Sequence, residues 1–489
     1  MSSNSIARLS IFQPGVNCAA VELADHVSVI IDGEEYFADL QEALLAAKHQ
    51  VVFIGWDFDT RVSLQGGNGS ESLRAFIVRL LKRNKALRIY ILKWNFGALK
   101  ILLRGRMIFT IVRWMFSNRL RIKFDGMHPI GASHHQKLVI IDGGMAFCGG
   151  IDVTSGRWDT REHLENDPRR VAPDGKPSEP WHDISMALSG PAASRLHDLA
   201  SERWERATGK PLPKVENTPH WPLRKPSDFE SVKVAIARTR GEFRDLQSIR
   251  ENEALFLDMI ATAKNFVYVE NQYFASRTIA AAIARRLQEE DPPEFVIIMP
   301  QAADGWLEKV AMDTARSQLV AMLATTDAHQ RFRIYHPFTE GGTPVYVHAK
   351  LMIVDDRIIR VGSSNMNNRS LGFDSECDVA IDASANSGQS LEMKISEIRA
   401  GLIAEHLNTP IEEVHRLLLG KGKMIAAIET LRGTGRSLRP FEQEDNDELA
   451  AYVASQNLLD PVGEDQQQCE SLSGSRRLHR RIWDKIKNE

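Results

Sequence analysis

Apolar residues in this chain come in short runs of strand length, and the same succession of runs occurs twice. An apolar strand ending in aromatic and polar residues is predicted at Val51–Arg61 and again at Phe266–Phe274. Before each lies a stretch with apolar positions at helical spacing, Leu40–Gln50 and Asn252–Asn265. A further strand follows at Leu87–Trp94 and Phe295–Pro300, then a basic-flanked one at Arg119–Pro129 and Arg331–Pro337. Helices alternating with strands predict an α/β fold in each half. The period is far too long for a solenoid, so the expectation is a pseudo-twofold pair of domains, residues 25–205 and 231–430. The Pro- and charge-rich segment 206–230 reads as a linker, Glu165–Pro180 as a loop insertion, and 435–489 as a tail of peripheral helices.

The last run of each series opens with polar residues that a plain core strand would not need. His135 and Lys137 precede one run; His348 and Lys350 precede the other. Asp142 and Asp355 follow each His by the same interval, and Gly149-Gly150, Gly362-Ser363, Asp152 and Asn365 fall at matching offsets. In an extended chain, residues two apart face the same side, so each His shares a face with its Lys. His134 points the other way and reads as structural. Asp142 and Asp355 fall where each run turns back on itself, so both should anchor hairpin turns rather than join the chemistry.

Two histidines facing two lysines across a twofold make a site for a phosphodiester. One imidazole can attack phosphorus and form a phosphohistidine. The other can protonate the leaving alkoxide and then deprotonate water. The two ammonium groups offset charge on the phosphoryl oxygens, so no metal or other cofactor is called for. Small residues at Gly150 and Ser363 would admit donors close to the phosphate, and Asn365 can donate its amide. A nucleophilic His needs a carboxylate on its other nitrogen. Glu376 is the candidate in the second half and Asp159 in the first.

Bulk properties narrow the setting. The chain has 489 residues and a formal net charge of -3, which gives no electrostatic case for nucleic acid. Cys18, Cys148, Cys377 and Cys469 are scattered without zinc-site or disulfide-framework spacing. The first residues lack a signal-peptide pattern, and no long uninterrupted apolar run occurs, so a cytoplasmic or peripheral membrane location is expected, with a leaderless export route left open.

At the quoted motifs the chain resembles the phospholipase D superfamily, whose mark is H-x-K-x4-D twice in one polypeptide. The similarity is closest to the eukaryotic-type branch, carried by Gly131–Thr160, Pro180–Ala193, Tyr268–Phe274 and Val345–Glu376, and it extends over about residues 25 to 430. It implies two pseudo-twofold-related α/β/α domains with mixed β-sheets and the site between them. It further implies hydrolysis of phosphatidylcholine-like lipids to phosphatidic acid and a free head group, with transfer to alcohols as a side reaction. By the same analogy His135 is the nucleophile and His348 the general acid, a choice that symmetry alone leaves open. Asp152 stands where the repeat would place an Asn, so it is not counted among phosphate ligands.

The expected partner is a phospholipid surface, approached by a chain read as a monomer. The basic segment Leu99–Phe124, with Lys100, Arg104, Arg106, Arg113, Arg119, Arg121 and Lys123 beside Trp114 and Phe116, has the composition of an interfacial helix. Trp158, Trp181, Tyr273 and Tyr346 are candidates to hold a quaternary ammonium. Rival readings are a cardiolipin-synthase-like phosphatidyltransferase, a metal-independent nuclease with the same motifs, and a non-catalytic lipid-binding module. Both motif copies are complete, which argues against the last.

Overall fold

The computed structural model describes residues 9–67, 70–95, 114, 117–216, 221–223, 225–304, 312–386, 389–421, 423–442 and 460. Its centre is an antiparallel pair, β1 (Ala20–Ile31) with β9 (Phe229–Arg240), in which Ala20 opposes Ile236 and Val27 opposes Phe229. Outward from β1 the strands run β8 (Ile184–Ser189), β6 (Met145–Gly149), β5 (Leu138–Ile141), β2 (Gln50–Gly55), β3 (Arg88–Trp94) and β4 (Leu120–Asp125). Outward from β9 they run β17 (Glu376–Asp382), β16 (Ile358–Gly362), β15 (Lys350–Val354), β11 (Phe266–Asn271), β12 (Glu294–Ile298) and β13 (Phe332–Phe338). The order reads the same from the middle in both directions. The sheets expected of the two halves are therefore one mixed sheet of sixteen strands, with β2–β3–β4 and β11–β12–β13 parallel and the inner strands antiparallel.

Several boundaries differ from the sequence reading. β1 starts before residue 25, the helix Pro191–Thr208 runs into the expected linker, and β9 begins at its far end. Ser437–Pro440 in the tail is an edge strand, β18, antiparallel to β13, rather than a helix. The basic segment lies mostly outside the described residues. Within it, Trp114 is buried, and Arg121 is an exposed position of β4. No helix among the described residues is long and apolar enough to cross a membrane.

Helix placement follows local chemistry. Helix Leu73–Arg83 buries Leu73, Phe76, Ile77, Leu80 and Leu81, one continuous stripe, and Ser72 caps it by accepting the Ala75 amide. Its counterpart in the second half, Arg277–Leu287, is capped by Ser276 on Ile279 in the same way. These helices cover two outer cores, one per half. A third, central core mixes the halves: Val52, Leu138 and Met186 pack in one cluster with Leu351, Val361 and Val379. That shared core brings the two polar motif entrances together.

Asp142 and Asp355 both sit in left-handed turn positions. Asp142 adopts φ 49° and its carboxylate accepts the amides of Lys48, His49 and Gln50 at 2.7, 2.8 and 2.7 Å. Asp355, at φ 53°, accepts those of Lys264, Asn265 and Phe266 at 2.7, 2.8 and 2.9 Å. Each ties the β5–β6 or β15–β16 hairpin to the start of its neighbouring strand.

Candidate active site

Each motif enters its strand by pairing with the opposite half. The His135 amide donates to the Ser375 carbonyl at 2.9 Å, and the Ser375 amide donates to Ser133 at 3.0 Å. On the other side β14 (Tyr346–Val347) lies parallel to β7 (Trp181–His182), and the His348 amide donates to His182 at 2.7 Å. This crossed pairing places the two imidazoles with ring centroids 6.5 Å apart and planes at 61°. His134 points away, to Ser375 Oγ and Asp125.

The carboxylates that hold the rings also cross between halves. His135 Nδ1 lies 3.0 Å from both carboxylate oxygens of Glu376 and 3.1 Å from the Ser363 carbonyl. Nδ1 faces acceptors alone, which assigns it the proton and leaves the Nε2 lone pair free. His348 Nδ1 lies 2.7 Å from Asp183 Oδ2. Asp183 and Glu376 are structural equivalents. Ile184, which follows Asp183, accepts the Gly150 amide, and Cys377, which follows Glu376, accepts that of Ser363.

The assignment of Asp159 is thereby corrected. It is fully buried, but its carboxylate takes His163 Nδ1 at 3.0 Å, Arg170 at 2.9 Å and the Trp181 amide at 2.9 Å. It braces Trp181, two residues before Asp183, rather than a histidine of either motif. Asp183 escaped the sequence reading because its signal is weak: an acid directly ahead of an apolar strand, as in Glu376-Cys377.

Gly150 and Ser363 also change role. A side chain at Gly150 would meet the Asp183 carboxylate at 2.0 Å, so the glycine makes room for that acid. At the equivalent place Ser363 Oγ donates to Glu376 at 2.5 Å, joined by Ser370 Oγ at 2.7 Å. Both positions serve the carboxylates that orient the histidines, and neither is left open toward a phosphate. Asn365 stays at the site: its amide donates to Gln272 at 3.4 Å, and its carbonyl oxygen is buried with no partner among the described residues. Gln272, unremarked in the sequence, links Asn365 to Lys350 (3.1 Å) and to Tyr346 (3.0 Å).

The lysines differ. Lys137 Nζ donates to the His135 carbonyl at 2.8 Å and pairs with Asp152 at 3.4 Å. Lys350 is fully buried, bound to Gln272 and the His348 carbonyl, and burial lowers its pKa to about 7 despite Asp183. Burial, reinforced by Lys137 and Lys350, holds His135 well below the usual imidazole range. Burial acts likewise on His348, followed by Lys350 and Arg157. These causes all favour the neutral form of both rings. Burial raises Asp183 to about 6 and raises Glu376 well above the usual carboxylate range.

Of the aromatic candidates, Trp181 stacks on Tyr346 at 4.7 Å and 16° and stands 5.1 Å from the His348 ring. Arg157 lies 3.8 Å over the Trp181 ring, which places a protein cation where a quaternary ammonium was considered. Tyr273 touches Gln272, and Trp158 packs in the outer core of the first half.

Behind Trp181 lies a buried charged network. His182 stands 3.0 Å from both Asp32 and Glu405 and 2.7 Å from Glu270; His163 meets Asp159, Glu405 and Asp32 at 3.0, 3.3 and 3.4 Å. Burial alone would strip His163 of charge, yet Asp32 and its other acidic neighbours raise it to about 9. Asp32, His163, His182 and Glu405 offer ligand atoms within 4.8 Å of one another, a spacing that suits a divalent cation. Neither this group nor His182–Glu270–His406 includes His135 or His348.

Comparison with known proteins agrees with this geometry. A family model described as "Phospholipase D" matches residues 121–283, and one described as "Cardiolipin synthase, PLD-like domain" matches 256–398. "Phospholipase D A" of Dictyostelium discoideum is 26% identical over 422 residues, covering 73% of this chain and 33% of that protein. "Phospholipase D1" of Saccharomyces cerevisiae is 25% identical, covering 74% and 27% respectively. The chain thus spans about a third or less of the length of these relatives. A solved phosphatidylserine synthase from Haemophilus influenzae shares the fold, with TM-score 0.54 and 13% identity over 84% of this chain and 96% of that one. Twin motifs, a palindromic sheet and the two family matches lead to one assignment: the chain belongs to the phospholipase D superfamily.

Proposed function

We propose that this protein is a phosphodiesterase of phospholipase D type, acting on the distal phosphodiester of glycerophospholipids such as phosphatidylcholine. The observation that carries the reading is the pair of neutral imidazoles 6.5 Å apart, each held through Nδ1 by a carboxylate from the opposite half. Nε2 of His135 attacks phosphorus. The P–O bond to the head group breaks, and its electron pair and a proton from His348 go to the departing alcohol. His348 gains that proton as the anionic diester enters and offsets Lys350 and Arg157. His348 then takes a proton from water, the P–N bond breaks, and phosphatidic acid leaves with His135 neutral again. Glu376 stabilises the cationic imidazole of the phosphohistidine stage. An alcohol in place of water gives the transfer product.

The substrate lies at a membrane surface, which the protein would meet peripherally. The test is product identification. Phosphatidylcholine is incubated with the wild type, His135→Ala and His348→Ala, with and without added ethanol. The expected result is choline and phosphatidic acid, with phosphatidylethanol when ethanol is present, and loss of all three in both variants. Choline release undiminished in either variant overturns the reading, and transfer without hydrolysis favours a phosphatidyltransferase.

A further inference from the structure

Arg157 belongs to the loop between β6 and β7, in the run Gly156–Asp159. The loop is pinned: a side chain at Gly33 would strike the Arg157 carbonyl at 2.1 Å, and the Glu34 amide donates to the Asp159 carbonyl at 2.9 Å. The guanidinium carbon lies over Trp181, 3.8 Å from the ring centroid. Among the described residues its hydrogen bonding amounts to one long contact, 3.4 Å, to the Gly156 carbonyl, and its buried Nε has no partner. It forms no ion pair with a carboxylate there. Yet it bears electrostatically on His348, Lys350, Asp183 and Tyr346.

An unpaired half-buried guanidinium beside a nucleophilic centre needs a reason, because burial without an anion is costly. The two lysines do not fill the role of phosphate counter-charge alone. Lys137 already faces Asp152, and Lys350 is fully buried with two of its three donors engaged by Gln272 and the His348 carbonyl. Arg157 keeps a planar fork of donors beside Trp181 and, among the described residues, has no carboxylate within ion-pair distance. That fork matches two oxygens of a phosphate.

We propose that Arg157 is a substrate-binding residue that contacts the non-bridging phosphoryl oxygens on the His348 side of the site. This rests on the phosphodiesterase reading for its substrate, but the anion contact can be measured without turnover. Inorganic phosphate binding is followed by calorimetry for the wild type, Arg157→Lys and Arg157→Gln. In parallel, kcat and KM are measured on soluble short-chain diesters with choline, glycerol and p-nitrophenol as leaving groups.

The expected result is a phosphate Kd raised about tenfold in Arg157→Gln, less in Arg157→Lys. The same substitution lowers kcat/KM about 100-fold, by a similar factor for all three leaving groups, because the phosphoryl group is common to them. A loss that depends on the leaving group overturns the proposal in favour of a head-group contact. Unchanged phosphate binding overturns it in favour of a role in holding Trp181. Where Arg157→Gln unfolds at a lower temperature, Arg157→Lys, which keeps the charge, carries the comparison. A wild type that binds phosphate through Arg157 but cleaves none of the diesters sinks the phosphodiesterase reading and leaves this contact standing.

Discussion

At the scale of single residues, the two histidines proposed to react are legible in the sequence and their partners only half so. His-x-Lys occurs twice with everything downstream in step, and that redundancy singles out His135, Lys137, His348 and Lys350. A carboxylate that reaches across from the other half leaves no local trace. Glu376 lies within reach of inference, whereas in the first half the sequence points to Asp159, near the first motif, and gives no signal for Asp183. The structure separates the two acids, and mutation should as well. Asp183→Asn should lower kcat by about 100- to 10,000-fold with the fold intact, since the amide can no longer fix the His348 tautomer. Asp159→Asn should instead lower stability by about 2–4 kcal/mol, because it leaves His163 and Arg170 short of their anion. Steady-state kinetics and urea unfolding on both variants check this, and the reverse pattern would restore Asp159 to the site.

Lys350 carries a second residue-scale expectation. Its pKa is about 7 in the folded chain against an ordinary 10.5. Between those values the unfolded chain holds the proton and the folded one does not, so unfolding takes up a proton. Stability contributed by this group therefore rises as pH increases from about 7 toward 10.5 and is lower below 7, where the buried ammonium must be charged. Lys350→Met should flatten that slope in denaturation measured across pH, while removing activity. A slope unchanged by the substitution would show that Lys350 keeps an ordinary pKa.

At the scale of elements, the strands with dense β-branched and aromatic content were readable, and the ones without it were not. β1 mixes Glu22, Asp25 and His26 among its apolar positions, because its early part faces partial solvent, and so its start was missed. β18 is four residues ending in Pro440, a composition tolerated at a sheet edge and indistinguishable from a loop by pattern. The hairpin aspartates were legible because a fixed offset into a turn has a limited set of uses. Each accepts three backbone amides, so Asp142→Ala and Asp355→Ala should each destabilise by about 2–3 kcal/mol. The two costs should be similar, as the repeat places both acids alike. Chemical denaturation of the two variants checks it; a cost below about 0.5 kcal/mol in both would remove the anchoring role.

At the scale of the whole molecule, duplication predicted two halves, and the structure adds how they join. β1 and β9 form the seam of one sheet, a central apolar core is shared, and each His is oriented by the other half's acid. Pattern along a chain reports which faces are apolar but not which partner covers them, so the fused sheet was out of reach. The seam makes a physical claim. Residues 1–228 and 229–489, produced as separate chains in one cell, should copurify through the β1–β9 pair and the central core and regain activity that depends on both His135 and His348. Two fragments that stay apart, or one fragment as active alone as the pair, would contradict it.

The central claim is that His135 carries phosphorus during turnover while His348 handles protons. It is tested most directly by mixing a p-nitrophenyl phosphodiester with His348→Ala, quenching within milliseconds to seconds, and mapping the adduct by mass spectrometry. A p-nitrophenolate leaving group needs no proton, so the first step should proceed and the second should stall. The account predicts a phosphoryl adduct on His135 that persists in this variant and is absent from His135→Ala. An adduct on His348 in the wild type, or steady hydrolysis by His135→Ala, would contradict it.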